Sequence, residues 1–415
     1  MSGERANDPI GEDASTMKPS ILDTICCTEV QDRFLCRKDD MKSPDAARFR
    51  KLLGKKECQD VICAIASGSH EFSVPFKKLI PKPGSSKKRT VYVFEEYEMM
   101  ALRLLAQELY RYDGLFSDCL YSFRSGHGIK DAMVRLRHTK GIGRMYAYKT
   151  DIHNYFNSID VGRLLPELKE ELGDERLYSM LENILTDRRV LFENEVIEET
   201  KGVMAGTPIS PFLANFYLRD VDERFSRENC IYMRYADDII ILADSEEELM
   251  RLRALLLDLV SEKGLEMNPK KEKYFLPGET IDFLGFSIDK NRIDLSAETV
   301  EKMKHRIKHS ARSIRKRMVK KNAPVKGTIK ALIREYNRKF FGTEETDELT
   351  WSRWYFSSIT TDASLHIIDG CLQEWIRYVA TGRHNKANHR AVTYDEMKEC
   401  GYRTLVNAYR SSIGG

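Results

Sequence analysis

The sequence predicts an α+β protein whose sheet-forming first part is followed by a helical and basic region. Short apolar runs typical of strands, such as Met145–Ile152 and Ile231–Leu242, alternate with stretches whose apolar residues recur at helical spacing. Beyond about Asp294 the strand-like runs end and the chain becomes helical and rich in lysine and arginine. A chain of 415 residues with 42% hydrophobic residues is long enough for two or three packed units.

Each element is predicted from its local pattern. Residues 76–94 indicate two strands around a Gly-centred basic turn. Residues 207–223 indicate a helix entered through Pro208 and Pro211, because proline is tolerated in the first helical turn. In chain order the predictions are a flexible tail over 1–20, mostly helices over 21–69, the strand–turn–strand over 76–94, a helix over 95–110, a strand over 145–152, a helix over 164–185, a hairpin over 189–198, a helix over 207–223, a hairpin over 231–242 and a helix over 246–263.

Composition excludes several classes of protein. The net charge of +3 by itself argues neither for nor against nucleic-acid binding, whereas its local distribution is informative. The nine cysteines show no CxxC pairs with metal-ligand spacing and no dense disulfide pattern. No apolar run reaches membrane-spanning length, and the polar N-terminus lacks a signal-peptide core. We therefore expect a soluble cytoplasmic protein with reduced thiols.

Three carboxylates stand at the ends of predicted strands. Asp237 and Asp238 lie side by side at a tight hairpin tip, where like-charge repulsion is costly unless a cation neutralises it. Asp151 lies near the end of the strand over 145–152. Three hard oxygen ligands on adjacent strands would form a clamp for two Mg²⁺ ions, suited to in-line attack of a 3′-hydroxyl on an α-phosphate. Taken singly, the alternatives are a plain Asp–Asp turn and a helix N-cap at Asp151.

Four motifs, in order, resemble those of reverse transcriptases. Tyr235-Ala-Asp-Asp238 resembles their Tyr-x-Asp-Asp box, and residues 150–160 resemble their first carboxylate motif. Residues 201–215 are similar to the motif that frames the nascent base pair, and residues 282–286 resemble the primer-grip turn. The similarity covers roughly residues 76–286. Four motifs in the family's order and spacing are a much more specific signal than one.

The resemblance implies a right-hand polymerase with fingers, palm and a helical thumb, and RNA-directed DNA synthesis from dNTPs. It implies that Asp151, Asp237 and Asp238 are catalytic and that, with Ile152, they hold two Mg²⁺ ions, for which Mn²⁺ can substitute. The implied regions are a tail (1–20), an N-terminal extension with fingers (21–144), a palm with finger insertions (145–290), a basic helical thumb (291–345) and a helical RNA-binding region (346–415).

The resemblance also implies a nucleotide-binding set. Phe156 stands where the family places an aromatic ring beneath the incoming sugar, which would clash with a ribose 2′-hydroxyl; the alternative is a plain core residue. Glycine at position 206 leaves space for the backbone to approach the nucleotide. Ala205 is a departure, since the family usually has glutamine there. The further candidates are Lys82 and Arg89 as triphosphate ligands, Arg124 as a template or nucleotide contact, and Lys271 as a proton donor to pyrophosphate. For the cations of the basic turn and for Lys271 the alternative is a solvated surface charge.

A dense run of positive charge follows the sheet-forming part. Between Glu301 and Phe340 there are fifteen Lys or Arg residues and only two acidic ones, interleaved with apolar residues at helical spacing. One helix face can therefore pack on the protein while the other presents cations to phosphates. The position matches the family's thumb, which holds an RNA–DNA duplex of any sequence. The candidate nucleic-acid-binding residues are Lys316, Arg317, Lys320, Lys321, Arg383 and Lys386.

The chain resembles bacterial reverse transcriptases of the retron, abortive-infection and defence-associated (group II intron-like) type. That resemblance implies a noncoding RNA as template, a role in antiviral defence and no membrane partner. Two alternatives stay open: an RNA-binding splicing factor like a maturase, and an untemplated or protein-primed DNA polymerase. The sequence selects no primer, product or oligomeric state.

Overall fold

The computed structural model of the protein describes residues 20–40, 45–81, 88–342, 350–384 and 388–413, so most of the predicted tail lies outside the described residues. The first elements are α1 (Ile21–Thr24), α2 (Thr28–Asp40), α3 (Ala46–Leu53), α4 (Lys56–Ser67), β1 (Phe76–Pro81), β2 (Lys88–Val93), α5 (Glu96–Glu108), α6 (Ile129–His138), β3 (Tyr146–Asp151), α7 (Tyr155–Ser158), α8 (Val161–Leu172), α9 (Glu175–Thr186), β4 (Arg189–Phe192) and β5 (Glu195–Glu198). There follow α10 (Ser210–Tyr217), α11 (Arg219–Ser226), β6 (Ile231–Tyr235), β7 (Asp238–Ala243), α12 (Glu246–Glu262), β8 (Lys273–Phe275), β9 (Ile281–Phe283), β10 (Phe286–Asp289), β11 (Arg292–Leu295), α13 (Ala297–Lys320), α14 (Val325–Phe341), α15 (Trp351–Phe356), α16 (Ala363–Thr381), α17 (Asn388–Ala391), α18 (Tyr394–Glu399) and α19 (Leu405–Ile413). This order confirms the α+β prediction.

Four helices, α1 to α4, occupy most of the N-terminal part of the chain, which confirms the helical prediction for 21–69. Helices α1 to α4 share an apolar core with α5, α8 and α9. Ser20 Oγ and the Ile21 amide donate to Asp174 Oδ2 at 2.9 and 2.8 Å, which ties the start of α1 to the N-terminus of α9. The N-terminal helices therefore belong to the same packed unit as α5, α8 and α9.

The predicted strand–turn–strand over 76–94 is confirmed as β1 and β2. They pair antiparallel in a sheet of order β2-β1-β4-β5, with Ile80 opposite Arg89. β4 and β5 are the hairpin predicted over 189–198. This sheet, called the finger sheet below, includes Pro81 and Lys88, which flank the basic turn, whereas residues 82–87, with Lys82, lie outside the described residues.

A second sheet has the order β6-β7-β3-β8 and lies in the region predicted as the palm, so it is called the palm sheet below. Its strand β7 is apolar on both faces, because Ile239 and Ile241 belong to one core and Ile240 and Leu242 belong to the other. The predicted strand over 145–152 is β3, and the predicted hairpin over 231–242 is β6 and β7. The palm sheet therefore lies between two apolar layers, which hold its strands in a fixed register.

Two predicted helices are each broken in the structure. The helix predicted over 164–185 ends at Gly173, which has φ 59°, and restarts as α9, where Asp174 accepts a hydrogen bond from the Leu177 amide. Glycine adopts this left-handed conformation without steric cost, and Asp is a favoured N-cap. The helix predicted over 207–223 begins only at Ser210 and is interrupted at Leu218 between α10 and α11.

The helices after β11 share one core with the outer face of the palm sheet. Of the predicted inward-facing residues of α13 and α14, five are buried, namely Met303, Ile307, Ile314, Ile329 and Ile333, whereas Met318 is half-buried. α16 packs against both α13 and α14. The boundary between a thumb (291–345) and a C-terminal region (346–415) therefore stays a proposal, since packing joins the two. No helix in the described ranges is long and apolar enough to cross a membrane.

Candidate active site

The hairpin that carries Asp237 and Asp238 forms the tip of the palm sheet. Its turn is closed by Ala236, which adopts the left-handed conformation at φ 55°. β3 pairs with the other side of β7, and this register places Asp151 directly opposite Asp238. The Ile152 amide donates to the Asp237 carbonyl oxygen at 3.2 Å. The sheet therefore brings the three predicted carboxylates together.

Asp151 is almost fully buried and carries one oxygen without a partner. Its Oδ2 lies 3.4 Å from Lys271 Nζ and 3.4 Å from Asn268 Nδ2. The Asn268 amide also donates to the Asp151 carbonyl oxygen at 2.9 Å. Its Oδ1 is buried and finds no hydrogen-bond donor among the described residues. Because an unsatisfied buried carboxylate oxygen costs free energy, a cation at this atom would be stabilising.

The two hairpin carboxylates resist ionisation. Burial raises the pKa of Asp237 to about 6, and the neighbouring charge of Asp238 adds to this shift. Burial likewise raises the pKa of Asp238, with a further contribution from Asp151 that the cations of Lys149 and Lys271 oppose. Folding thus holds negative charges closer together than water-exposed carboxylates prefer. A bound cation would relieve this repulsion.

The donor set fits a Mg²⁺ or Mn²⁺ ion that also binds substrate. Within the described ranges, no three His, Cys, Asp or Glu side chains form a group that could hold a metal ion by themselves. Mg²⁺ is commonly held by one or two carboxylates together with substrate phosphates and waters, so an open arrangement is expected for it. Ile152 has a buried apolar side chain, and its carbonyl oxygen is the only atom that could contact an ion.

A buried ion pair supports the hairpin from within the protein. Arg234 and Asp222 both have fully buried side chains, and Arg234 Nε donates to Asp222 Oδ1 at 2.7 Å. Burial alone would lower the pKa of Arg234, but the Asp222 carboxylate more than offsets this and holds it above its usual value. The guanidinium also donates to the carbonyl oxygens of Ala236 and Asn215, each at 3.2 Å. The pair therefore fixes the turn that carries the carboxylates.

A second set of buried hydrogen bonds holds the same turn from the finger side. Ser122 Oγ accepts from the Ala236 amide at 2.8 Å and donates to Asn215 Oδ1 at 3.1 Å. Asn215 Nδ2 donates back to the Ser122 carbonyl oxygen at 2.8 Å. Both the amide and the carbonyl of the left-handed residue Ala236 are thus satisfied by side chains.

The sequence contains a signal for the buried ion pair that the motifs do not reveal. Arg234 is a charged residue inside an otherwise apolar strand, and such a residue is rarely buried without a partner. Asp222 lies on α11, twelve positions earlier, so local spacing does not reveal the pairing. Ser122 and Asn215 carry no signal of their own, since isolated polar residues of this kind are common at surfaces.

The structure places Phe156 beside the loop at the start of the motif over residues 201–215. Its ring is half-buried against the apolar core and lies 5.7 Å from the Tyr155 ring, edge-on. Its carbonyl oxygen accepts from the Val203 amide at 2.9 Å. A Cβ at Gly202 would lie 2.3 Å from that carbonyl oxygen, so the loop needs glycine there. Phe156 and residues 202–206 therefore form one local structure, and the role of Phe156 as a sugar gate stays a prediction.

Gly206 packs closely against strand β2, and its contact with a nucleotide stays a prediction. A Cβ at this position would lie 2.9 Å from Val91 Cβ and 3.1 Å from the Tyr92 carbonyl oxygen, so the space that glycine leaves is filled by finger strand β2. The Tyr92 amide also donates to the Ala205 carbonyl oxygen at 2.8 Å. The Ala205 amide in turn donates to Asn157 Oδ1 at 3.3 Å. Asn157, which sequence reasoning missed, thereby joins α7 to this loop.

The predicted cationic residues that the structure describes, Arg89, Arg124 and Lys271, lie in different surroundings. Arg89 is exposed on β2. Arg124 donates to the carbonyl oxygens of Ser117, Leu120 and Asp113, so in this structure its guanidinium stabilises a turn. Lys271 is mostly exposed and lies beside the Asp151 carboxylate. The structure therefore brings Lys271 to the carboxylates, whereas a nucleotide contact by Arg124 stays a prediction.

The predicted nucleic-acid contacts lie on exposed surface. Lys316, Arg317 and Lys320 are exposed near the end of α13, and Lys321 follows as its exposed C-cap. Arg383 is exposed after α16, and Lys386 lies outside the described residues. Cations at the C-terminal end of a helix are favoured by its dipole, and this explains part of the charge without any nucleic acid.

The fold and the site define a polymerase-type palm, in which a carboxylate hairpin faces a third carboxylate across an antiparallel sheet. The family pattern described as reverse transcriptase (RNA-dependent DNA polymerase) matches residues 80–288, which is half of the chain. The chain therefore belongs to the reverse transcriptase family. Membership confirms the predicted right-hand polymerase fold class, and the match ends just before the basic helices begin.

Two curated relatives are bacterial retron enzymes. The chain is 25% identical to the retron Ec86 reverse transcriptase of Escherichia coli over 175 residues, which are 41% of this chain and 51% of that protein. It is 27% identical to the retron Mx65 reverse transcriptase of Myxococcus xanthus over 182 residues, which are 41% and 42% of the two chains. The matches span about half the length of these relatives or less. They confirm the resemblance to the bacterial retron type.

Among solved structures, the chain is similar to the apo telomerase of Candida tropicalis, with a TM-score of 0.46 and 13% identity over 78% of this chain and 68% of that one. It is also similar to the telomerase of Candida albicans in complex with a fragment of telomeric RNA, with a TM-score of 0.44 and 11% identity over 80% and 64% of the two chains.

We expect Asp222→Asn to lower the free energy of unfolding by about 3 to 5 kcal/mol, because it leaves the Arg234 charge buried without its carboxylate. Replacing both charges, as Asp222→Leu with Arg234→Met, should recover most of that loss. Urea unfolding of the three proteins measures this. Arg227→Gln, which breaks an exposed pair with Glu223, is the matched control and should cost less than about 1 kcal/mol. An equally small effect of Asp222→Asn would contradict the assignment.

We expect Asp237→Asn to melt at a higher temperature than the unchanged protein in EDTA, because one of the mutually repelling charges is removed. Added Mg²⁺ should raise the melting temperature of the unchanged protein and have little effect on the variant. Thermal unfolding with and without Mg²⁺ measures both. Asp244→Asn, at an exposed position beyond β7, is the control and should respond to Mg²⁺ like the unchanged protein. A variant that gains as much stability from Mg²⁺ would count against the metal assignment.

Proposed function

We propose that this chain is an RNA-directed DNA polymerase that adds dNTPs to a 3′-hydroxyl with two divalent metal ions. We further propose that it copies an associated noncoding RNA and acts in bacterial antiviral defence. The first proposal is supported by family membership together with the carboxylate geometry. The second is supported by the similarity to retron reverse transcriptases alone.

The observation that carries the proposal is the pairing of Asp151 with Asp238 across β3 and β7. Asp151 Oδ1 is buried there without a donor, and burial together with the neighbouring charge of Asp238 raises the pKa of Asp237 to about 6. A protein that only binds RNA has no need for three carboxylates held together at a cost in stability. The geometry therefore favours a polymerase over the maturase-like binding factor.

In the proposed mechanism, Asp151, Asp237 and Asp238 hold two Mg²⁺ ions, with the Ile152 carbonyl oxygen as a further ligand. Bound there, the ions would supply activation of the attacking hydroxyl and stabilisation of charge on the leaving pyrophosphate. The hairpin network around Arg234 keeps the carboxylates in place, so they need no reorganisation during the reaction. Lys271, 3.4 Å from Asp151 Oδ2, is our candidate for the proton donor to pyrophosphate.

The nucleotide is proposed to lie between the carboxylates and the body formed by β2, α7 and residues 202–206. Phe156 would close off the side of the sugar that carries a 2′-hydroxyl in ribonucleotides. Arg89, and Lys82 outside the described residues, would contact the triphosphate from the finger hairpin. Ala205 offers no side-chain amide at the position where the family usually has glutamine, so the backbone and Asn157 define that wall instead.

The template–primer duplex is proposed to lie along the basic helices. The exposed cations near the end of α13, with Arg383 after α16, would contact backbone phosphates without reading base sequence. The opposite face of α13 is buried in the C-terminal core, which fixes the direction in which these cations point. We propose RNA template, RNA–DNA duplex and dNTPs as the partners.

The proposal is tested by purifying the protein from cells and sequencing the nucleic acid bound to it. We expect a discrete RNA together with DNA complementary to it. In the Asp237→Ala/Asp238→Ala protein we expect the RNA without the DNA, with synthesis reduced at least about 1,000-fold. Asp244→Ala/Glu247→Ala, which removes two exposed charges nearby, is the matched control and should retain the DNA.

Each other outcome selects an alternative. RNA in all samples with no DNA that depends on the carboxylates would contradict the polymerase and favour an RNA-binding factor. DNA that depends on the carboxylates but does not match the RNA would favour an untemplated or protein-primed polymerase. DNA in the double-alanine protein would overturn the assignment of the catalytic residues.

We expect Phe156→Ala to reduce the preference for dNTPs over ribonucleotides by about tenfold or more, because it opens space for the 2′-hydroxyl. The ratio of kcat/KM for the two nucleotides measures this. Phe156→Leu, which keeps an apolar side chain of intermediate size in the same core position, should fall between the two. An unchanged ratio in a folded Phe156→Ala protein would return Phe156 to a purely structural role.

A further inference from the structure

A pocket of about 640 Å³ lies among α6, the end of α14, α15 and α19. Its described lining includes none of the carboxylates or the proposed nucleotide-binding residues. The residues that define its chemistry are Arg137, Arg353, Arg403, Phe341 and Phe356, together with the hydroxyl groups of Thr350, Ser352, Ser357 and Ser412. A volume of this size suits a small ligand or a single nucleotide.

All charged side chains in the described lining of this pocket are positive. Its described lining contains three arginines and no Asp or Glu. Arg137 lies in the last turn of α6 and Arg403 just before α19, and both are exposed. In the part of the chain that the structure describes, neither of these two guanidinium groups has a hydrogen bond or an ion pair. Elsewhere on the surface, arginines such as Arg224 and Arg227 pair with neighbouring carboxylates.

The arrangement of Arg403 suits a phosphate group. Its guanidinium carbon lies 4.4 Å from the centre of the Phe341 ring. A guanidinium held over an aromatic ring is pre-organised while its N–H groups stay available for bidentate bonds to phosphate oxygens. Phe356 adds partly exposed aromatic surface on which a base can stack.

We propose that this pocket binds an unpaired nucleotide of a single-stranded RNA segment, with Arg137 and Arg403 on its flanking phosphates. An A-form duplex would not fill the pocket, because its bases are already paired and stacked. A nucleoside triphosphate fits less well, because the described lining offers no carboxylate for the Mg²⁺ that accompanies it. Exposed Ser412 and Ile413 at the rim leave room for the RNA chain to continue.

This inference rests on the proposed function only for the source of the ligand, which is the RNA that the enzyme is proposed to copy. The pocket would hold an unpaired part of that RNA while the duplex lies along α13. The interaction is sequence-tolerant, because stacking and phosphate contacts are available to every base.

The test is the binding of a fluorescent unpaired RNA of about 12 nucleotides to the full chain, measured by anisotropy at several salt concentrations. We expect Arg137→Ala/Arg403→Ala to weaken binding about tenfold or more. Since each phosphate contact on a single strand contributes roughly 0.7 to the slope of log affinity against log salt, that slope should fall by about 1.4. Phe356→Leu should weaken binding while leaving the slope unchanged, because it removes stacking and no charge, and Phe356 does not hold either arginine.

Two controls separate the pocket from general electrostatics. Arg224→Ala/Arg227→Ala removes the same charge from exposed positions on α11 and should leave the RNA affinity within about twofold. Extension of a pre-annealed RNA–DNA duplex at saturating concentration should be unchanged in Arg137→Ala/Arg403→Ala. If no protein extends that duplex, the proposed polymerase fails, and the RNA-binding result still decides the pocket.

Three results would overturn the inference. One is an equal loss of RNA affinity in both double-arginine variants, which would make the effect non-specific. Another is an unchanged affinity in Arg137→Ala/Arg403→Ala. The third is binding of free dATP that Arg137→Ala/Arg403→Ala abolishes while RNA affinity stays the same, which would make the pocket a site for free nucleotides.

Discussion

The active-site hairpin depends on the buried ion pair between Arg234 and Asp222. Neither side chain reaches solvent, so each charge is tolerated only because the other is present. The same guanidinium reaches the carbonyl oxygens of Asn215 and Ala236, and so connects α10, α11 and the turn. One fully desolvated contact thereby fixes a left-handed residue immediately before two adjacent carboxylates.

The palm sheet explains how the molecule tolerates the repulsion among Asp151, Asp237 and Asp238. Apolar side chains cover both faces of β7, and they hold its register with β3. A slip of one residue would turn every buried side chain of the strand towards the wrong core. Apolar burial therefore keeps the like charges close together. The pKa of Asp237 is raised by burial and by the neighbouring charge of Asp238.

The parts of the fold that local pattern determines could be predicted from the sequence. These are strands β1 to β7, which include the hairpin of the carboxylates, and the inward face of α13, whereas the short strands β8 to β11 were not predicted. Features set by distant partners could not. The break at Gly173 looks like any glycine within a helical pattern, and the packing of Gly206 on β2 joins positions more than a hundred residues apart. The carbonyl contacts of Arg124 depend on a loop conformation that no spacing rule describes.

The contact between Gly206 and β2 has a mechanical consequence. The close approach to Val91, the hydrogen bond from Tyr92 to Ala205 and the contact of Asn157 with the same loop tie a finger strand to the palm. Strand β2 and residues 202–206 must then move as one body, without a hinge between them. Any movement of β1 and β2 is then confined to other joints, and the contact with residues 202–206 keeps its shape.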